Sequence, residues 1–197
     1  MGNNRESFEP NAIYHVYNHG NAGDLIFRED TNYAFFLKRY QKYIPHIADT
    51  FAYCLMPNHF HVMVRVKSRE ALLRFAKKKY PDRDPQSFEN FADLISNQFK
   101  NFLISYAKSF NKMYDRKGSL FLDNLNRKSI TEDSYYTQLI CYIHQNPIKH
   151  GFVDNITDWP YSSYHSLLSK QAINLKREEV FKWFGGRENF IQAHKRN

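Results

Sequence analysis

Only two cysteines occur in the 197 residues, Cys54 and Cys141, both in apolar surroundings. That excludes a disulfide scaffold and a cysteine-rich zinc site, and fits reduced core thiols of a cytoplasmic protein. No apolar run approaches the length that crosses a bilayer, so no membrane partner is expected. The first residues, Met1 to Glu6, lack the apolar segment of a secretory signal. Glycine-rich phosphate loops, dinucleotide fingerprints and HExxH helices are also missing, which removes the common nucleotide-driven and zinc-protease chemistries. Internal repeats and low-complexity tracts are absent too.

What is present is basic and aromatic. Lys and Arg number 28 against 20 Asp and Glu, a net charge of +8, and aromatics make up 17% of the chain. An excess of this size favours a polyanionic partner, nucleic acid first. Basic residues cluster at Lys77-Lys78-Lys79, from Lys108 to Lys117, at Arg127-Lys128 and at Lys195-Arg196, with Tyr106, Phe110 and Tyr114 interleaved. Rings of this kind stack on single-stranded bases while cations hold the phosphates. Arg65, Lys77, Lys78, Lys79, Lys117, Arg127 and Lys128 are the expected DNA contacts.

Periodicity predicts an order β-α-β-β-α-α-β-α with an extension. Strands are expected over 12–18, 47–55, 60–66 and 120–130. Asp30 or Thr31 is expected to cap a helix running to about Ile44, and further helices are expected over 69–80, over 88–114, and from Ser134 to near Asn146-Pro147, because proline disfavours helix at the residue before it. The 81–85 stretch reads as a loop. One hairpin without strict βαβ alternation points to an α+β, ferredoxin-like antiparallel sheet with helices packed mainly on one face. The expected division is a domain over 1–165 and a basic helical extension over 166–197.

The most informative stretch is Met56-Pro57-Asn58-His59-Phe60-His61. Alternate residues of a strand share a face, so His59 and His61 emerge together, about 7 Å apart along it. Neutral imidazoles in that relation can form half of a metal shell. Tyr142 and Asn146 are one helical turn apart and share a face. Plain packing with a helix-end cap would explain that pair. Taken together with His-x-His, Asn146 can offer a carbonyl oxygen as third ligand and place Tyr142 beside the metal. A phosphodiester on that metal would be set for attack by the phenol, and the resulting phosphotyrosine would retain the bond energy, so rejoining would need no ATP.

These residues, with Tyr14-His15-Val16, Asn18-His19-Gly20-Asn21, Gly118-Ser119-Leu120-Phe121, Gly151-Phe152-Val153 and Trp159 to Tyr164 in the same order, resemble the single-tyrosine HUH transposases, specifically the REP-associated tyrosine transposases of bacteria. The resemblance runs from about Ile13 to Tyr164. It implies an HUH endonuclease domain that nicks and rejoins single-stranded or hairpin DNA with Mg²⁺ or Mn²⁺. On it His59, His61 and Asn146 are the metal ligands, with Gln145 as second candidate for the third, and Tyr142 is the catalytic nucleophile. It also implies a nucleoid-associated cytoplasmic protein, monomer or homodimer. His19 stands where the family's loop commonly has arginine. Two other readings remain: a domesticated regulator that binds DNA hairpins without cutting, and a zinc hydrolase using His59, His61 and His15. Of the remaining histidines, His15 reads as a strand residue with a structural hydrogen bond, His144 as facing away from Tyr142, and His46, His150, His165 and His194 as solvated. Trp159 and Tyr161 read as an anchor for the extension.

Overall fold

The histidine-bearing hairpin forms the middle of a four-stranded sheet. The computed structural model describes residues 6–82, 91–171 and 174–195. Its strands are β1 (Ile13–His19), β2 (Ala48–Met56), β3 (His59–Val66) and β4 (Asn126–Ile130), in the order β2-β3-β1-β4 with all neighbours antiparallel. Pro57 and Asn58 make the tight β2–β3 turn, and a bulge between Thr50 and Ala52 turns Phe51 and Ala52 into the same core. This is the α+β, ferredoxin-like antiparallel arrangement that the sequence pattern predicts.

Alternation divides the sheet's two faces cleanly. Tyr14, Val16, Phe60, Val62 and Val64 point to one face. There they meet α1 (Asp30–Tyr43) through Tyr33, Phe36 and Tyr40, α2 (Arg69–Lys79) through Leu72 and Ala76, and α3 (Phe91–Met113) through Ile95, Phe99, Phe102 and Tyr106. Each such side chain, when fully buried, contributes roughly 1.5–3 kcal/mol, so this aromatic layer is the main source of stability. Helix α1 is capped by Glu29 and Asn32 in a reciprocal box, so the cap lies one residue before Asp30, the earlier of the two expected caps.

Ile13, Cys54, Met56, Met63 and Ile130 point to the other face. A second helical layer covers part of it: α4 (Ser134–Lys149), α5 (Ser163–Leu168), α6 (Arg177–Phe184) and α7 (Arg187–Lys195). The expected one-sided packing thus describes the larger core, and the C-terminal helices add a smaller layer opposite. The extension docks through buried Val180 and Phe190 and through an Arg65–Glu179 fork at 2.5 and 3.0 Å. Trp159 and Tyr161 anchor it as expected: the Trp159 indole donates to the Leu55 carbonyl at 3.1 Å, and Tyr161 stacks on Tyr33 at 3.6 Å.

Two boundaries differ markedly from the sequence pattern. Strand β4 is five residues rather than eleven. Residues 120–125 run irregularly because the Asn18 amide and the His19 carbonyl hold Leu122 by its backbone. Helix α4 continues through Pro147 to Lys149 instead of stopping before it. Proline removes the N–H that would reach the Ile143 carbonyl. The Asn146 amide substitutes, donating to Tyr142 O at 2.8 Å and Ile143 O at 3.5 Å. The predicted start of α3 at 88 and much of the 81–85 loop lie outside the described residues, as does Arg196. Among the described residues no helix is long and apolar enough to cross a membrane.

Candidate functional site

The α4 face of the sheet gathers histidines near the β2–β3 turn. His59 and His61 project from β3, and the antiparallel register sets them opposite His19 and Tyr17 of β1. His19 stacks on His59 with centroids 4.8 Å apart, and the His15 ring lies 5.0 Å from that of His61. Gly20 shapes the adjoining loop. A Cβ there would come within 2.0 Å of the Asp24 carbonyl oxygen, so only glycine fits. Its N–H binds the Asn58 carbonyl at 2.7 Å, tying the β1 loop to the histidine turn.

Helix α4 crosses this face with Tyr142, Asn146 and His150 spaced four residues apart. The Tyr142 ring lies 5.8 Å from His61 and 6.1 Å from His15, and the His150 ring 5.0 Å from His59. Asn146 therefore occupies the turn between two side chains that face the two histidines. Tyr142 is exposed, while Asn146 is buried with its Nδ2 committed to the backbone of α4. Among the described residues its Oδ1 accepts no hydrogen bond, so the carbonyl is the atom left for a ligand. Gln145 turns away, its amide nitrogen 3.5 Å from the His194 carbonyl of α7. Continuation of α4 past Pro147 also brings the Lys149 ammonium to 4.7 Å from the Tyr142 ring centroid.

The electrostatics suit a cation. Burial pushes the imidazole pKa of His59 down to about 4, with smaller contributions from His19 and His150. Burial, then His15 and the neighbouring histidines, push His61 down to about 2. Both are neutral at pH 7, with a lone pair to donate. His59 Nδ1 is paired with Asn58 Oδ1 at 2.7 Å, and His61 Nδ1 with His15 Nε2 at 3.0 Å. With Nδ1 donating in each bond, Nε2 keeps its lone pair and could coordinate a metal, the outer support that metal-binding histidines usually have. Among the described residues no group of three or more His, Cys, Asp or Glu is arranged to hold a metal. Two imidazoles and one amide oxygen are an incomplete cage for a hard cation, and phosphate or water oxygens would have to finish it.

The expected DNA contacts separate. Lys128 pairs with His15 across the sheet and shares the site's face; its charge adds to burial in lowering the His15 pKa to about 4. Arg65 also shares that face, but its guanidinium is engaged with Glu179. Arg127 pairs with Val16 and points to the α1/α3 face, over the Phe8 ring at 4.5 Å. Lys77, Lys78 and Lys79 are on α2, which packs on that same opposite face; Lys117 is exposed in the α3–β4 connection. His194, expected to be solvated, is buried: Phe190 O accepts from its Nδ1 at 2.7 Å, so its Nε2 accepts from His144 Nδ1 at 2.9 Å, and His144 Nε2 meets Ser163 Oγ at 2.6 Å. His15, His19, Lys149 and His150 are site neighbours that the motif alone misses. The His-x-Tyr-x-His alternation of β1 was the available signal for two of them.

Fold and site together define a ferredoxin-like domain in which a His-x-His strand opposes a tyrosine-bearing helix. No protein-family model matches the chain. In sequence it is similar to a Haemophilus influenzae protein with the provisional name REP-associated tyrosine transposase, 28% identical over 122 residues, 59% of either chain. A stretch of 30 residues is 47% identical to the REP-associated tyrosine transposase of Escherichia coli, covering 15% of this chain and 18% of that one. In structure it matches a REP-associated tyrosine transposase solved with a REP hairpin, at TM-score 0.60 and 15% identity, over 86% of this chain and 87% of the other. The chain thus resembles REP-associated tyrosine transposases in sequence and has their fold, while its match spans less than two thirds of the Haemophilus relative.

Proposed function

We propose that the protein nicks and rejoins single-stranded DNA at hairpins, with Tyr142 as nucleophile and a covalent 5′-phosphotyrosine as intermediate. The observation that carries this reading is the exposed Tyr142 ring facing His61 of the metal-competent pair at 5.8 Å. Mg²⁺ or Mn²⁺ held by Nε2 of His59 and His61 and by Oδ1 of Asn146 would supply positive charge to the scissile phosphate.

In this reading the Tyr142 phenol oxygen forms a bond to phosphorus as the bond from phosphorus to O3′ breaks. The phenol gives up its proton and the departing O3′ gains one, leaving a free 3′-hydroxyl. Attack by another strand's 3′-hydroxyl reverses the exchange, so no water or nucleotide is consumed. Lys149 and Lys128 flank the site with positive charge that suits a phosphate backbone. Tyr142 faces histidines of its own chain, so a monomer can assemble the site. The relatives' names, and the hairpin in the matched structure's title, support a DNA hairpin as substrate.

Short palindromic repeats beside the gene supply the test substrates. Incubation with Mn²⁺ should give a protein–DNA adduct that survives denaturing electrophoresis, and Tyr142→Phe should abolish it. Hairpin binding with no adduct under any metal would favour the non-cutting regulator instead.

A further inference from the structure

The α1 face of the sheet, away from the histidine site, carries a pocket of about 630 Å³ at the β2 edge. Phe36 of α1, Leu55 of β2 and Val62 of β3 form its apolar floor. The segment that leads into α6 closes its outer side: the Lys176 N–H donates to the Thr50 carbonyl at 3.0 Å, and Leu175 bridges to the same strand residue.

The fold leaves two features of this lining unused. Tyr40 and Thr50 are 7% and 5% exposed, and their hydroxyls meet at 2.9 Å. Two hydroxyls carry two protons, and that bond uses one. Among the described residues neither oxygen has a second partner, so one O–H donor is buried in the pocket wall without an acceptor. The second feature is charge. Lys67 and Lys176 share Asp49 Oδ1, at 2.5 and 3.3 Å, so two ammoniums stand against one carboxylate. Thr50 follows Asp49 in β2, which places both features at one end of the pocket.

We infer that this pocket binds a small organic monoanion, a carboxylate on an apolar ring or short chain. The carboxylate accepts the orphaned hydroxyl proton and answers the surplus positive charge. The apolar body covers Phe36, Leu55 and Val62. The volume lies within the range of small-molecule sites, which pair apolar walls with a few placed polar groups. A DNA strand suits it less, because α1 and the 174–176 segment close it and Asp49 would face the phosphates. The site is separate from the proposed strand transfer and does not depend on it.

The test titrates the full chain with benzoate, 4-phenylbutyrate and octanoate, and with the neutral amide of each. At least one carboxylate should bind with millimolar or better affinity and raise the melting temperature. Its amide should bind about tenfold more weakly, the scale of one hydrogen bond to a charged group. Hydrogen exchange should slow at the Lys176 amide, which seals the pocket. The variant is Tyr40→Phe combined with Thr50→Val. It removes both hydroxyls at nearly constant shape, a change close to neutral for stability, so melting without ligand reports an intact fold. Carboxylate affinity should fall about tenfold in it. Binding by none of the three acids, equal binding of acid and amide, or an affinity unchanged in the double variant would overturn the inference.

Discussion

The two imidazoles of the site are held by different neighbours, and those neighbours decide which nitrogen is left for a ligand. Asn58 takes Nδ1 of His59, and His15 takes Nδ1 of His61. Asn58→Ala should therefore lower the rate of adduct formation roughly 10- to 100-fold, the usual cost of losing such an outer partner, with a melting temperature close to wild type. An unchanged rate would show that His59 needs no orientation. At this scale the sequence was informative where chemistry follows from spacing within one element, as for His59 and His61 or Tyr142 and Asn146. It was silent where contact depends on register. His19 meets His59 only because β1 pairs with β3 in that alignment, and His150 meets His59 only because α4 runs past its proline.

Among the elements, α4 does most to build the site. Its inner side is fixed by Leu139, Ile140 and Ile143, and its outer end by α7 through the His144–His194 bond. Burial lowers His194 to about 4 and holds His144 well below the usual imidazole range. Both are neutral in the folded protein, whereas an unfolded histidine takes up a proton near pH 6.5. Their contribution to stability is therefore full above pH 6.5 and is lost as pH falls toward 4. Thermal melts across that window should show the decline, at about 2–4 °C per kcal/mol. His15 and His59, depressed to a similar level by burial, act in the same direction. His194→Gln should flatten the slope only in part. A slope identical to wild type would contradict the buried, neutral pair.

The fork from Arg65 to Glu179 ties α6 to β3. Arg65→Met should cost about 0.2–1 kcal/mol, as for a part-exposed pair, and leave hairpin affinity unchanged. A large loss of affinity would return Arg65 to the DNA surface. The order of elements was legible because strand alternation and helical spacing are local signals. The α4 boundary departs from the expectation because a side-chain amide can replace the hydrogen bond that proline removes. The short β4 depended on contacts from β1 that no local pattern carries.

Over the whole molecule, the charge of +8 is distributed on both sides of the sheet. The lysine run of α2 lies opposite the histidine site, while Lys128 and Lys149 lie beside it. A strand engaged at the site would meet the second group and not the first. Lys149→Met should then weaken hairpin binding and reduce the dependence of affinity on salt by about one phosphate contact. Substituting Lys77, Lys78 and Lys79 together should change both far less. Fold class and the paired histidines were readable from the chain because they repeat with the period of a strand. The two-sided helical cover was not, because the C-terminal helices are short and their buried residues sparse.

Strand transfer through Tyr142 is tested by mapping the site of covalent attachment. Wild-type protein would be incubated with Mn²⁺ and a palindromic hairpin from beside its gene, digested, and mapped by mass spectrometry. A 5′-phosphorylated nucleotide on Tyr142 is the expected product. Attachment at any other residue, or an adduct that persists in Tyr142→Phe, would contradict it.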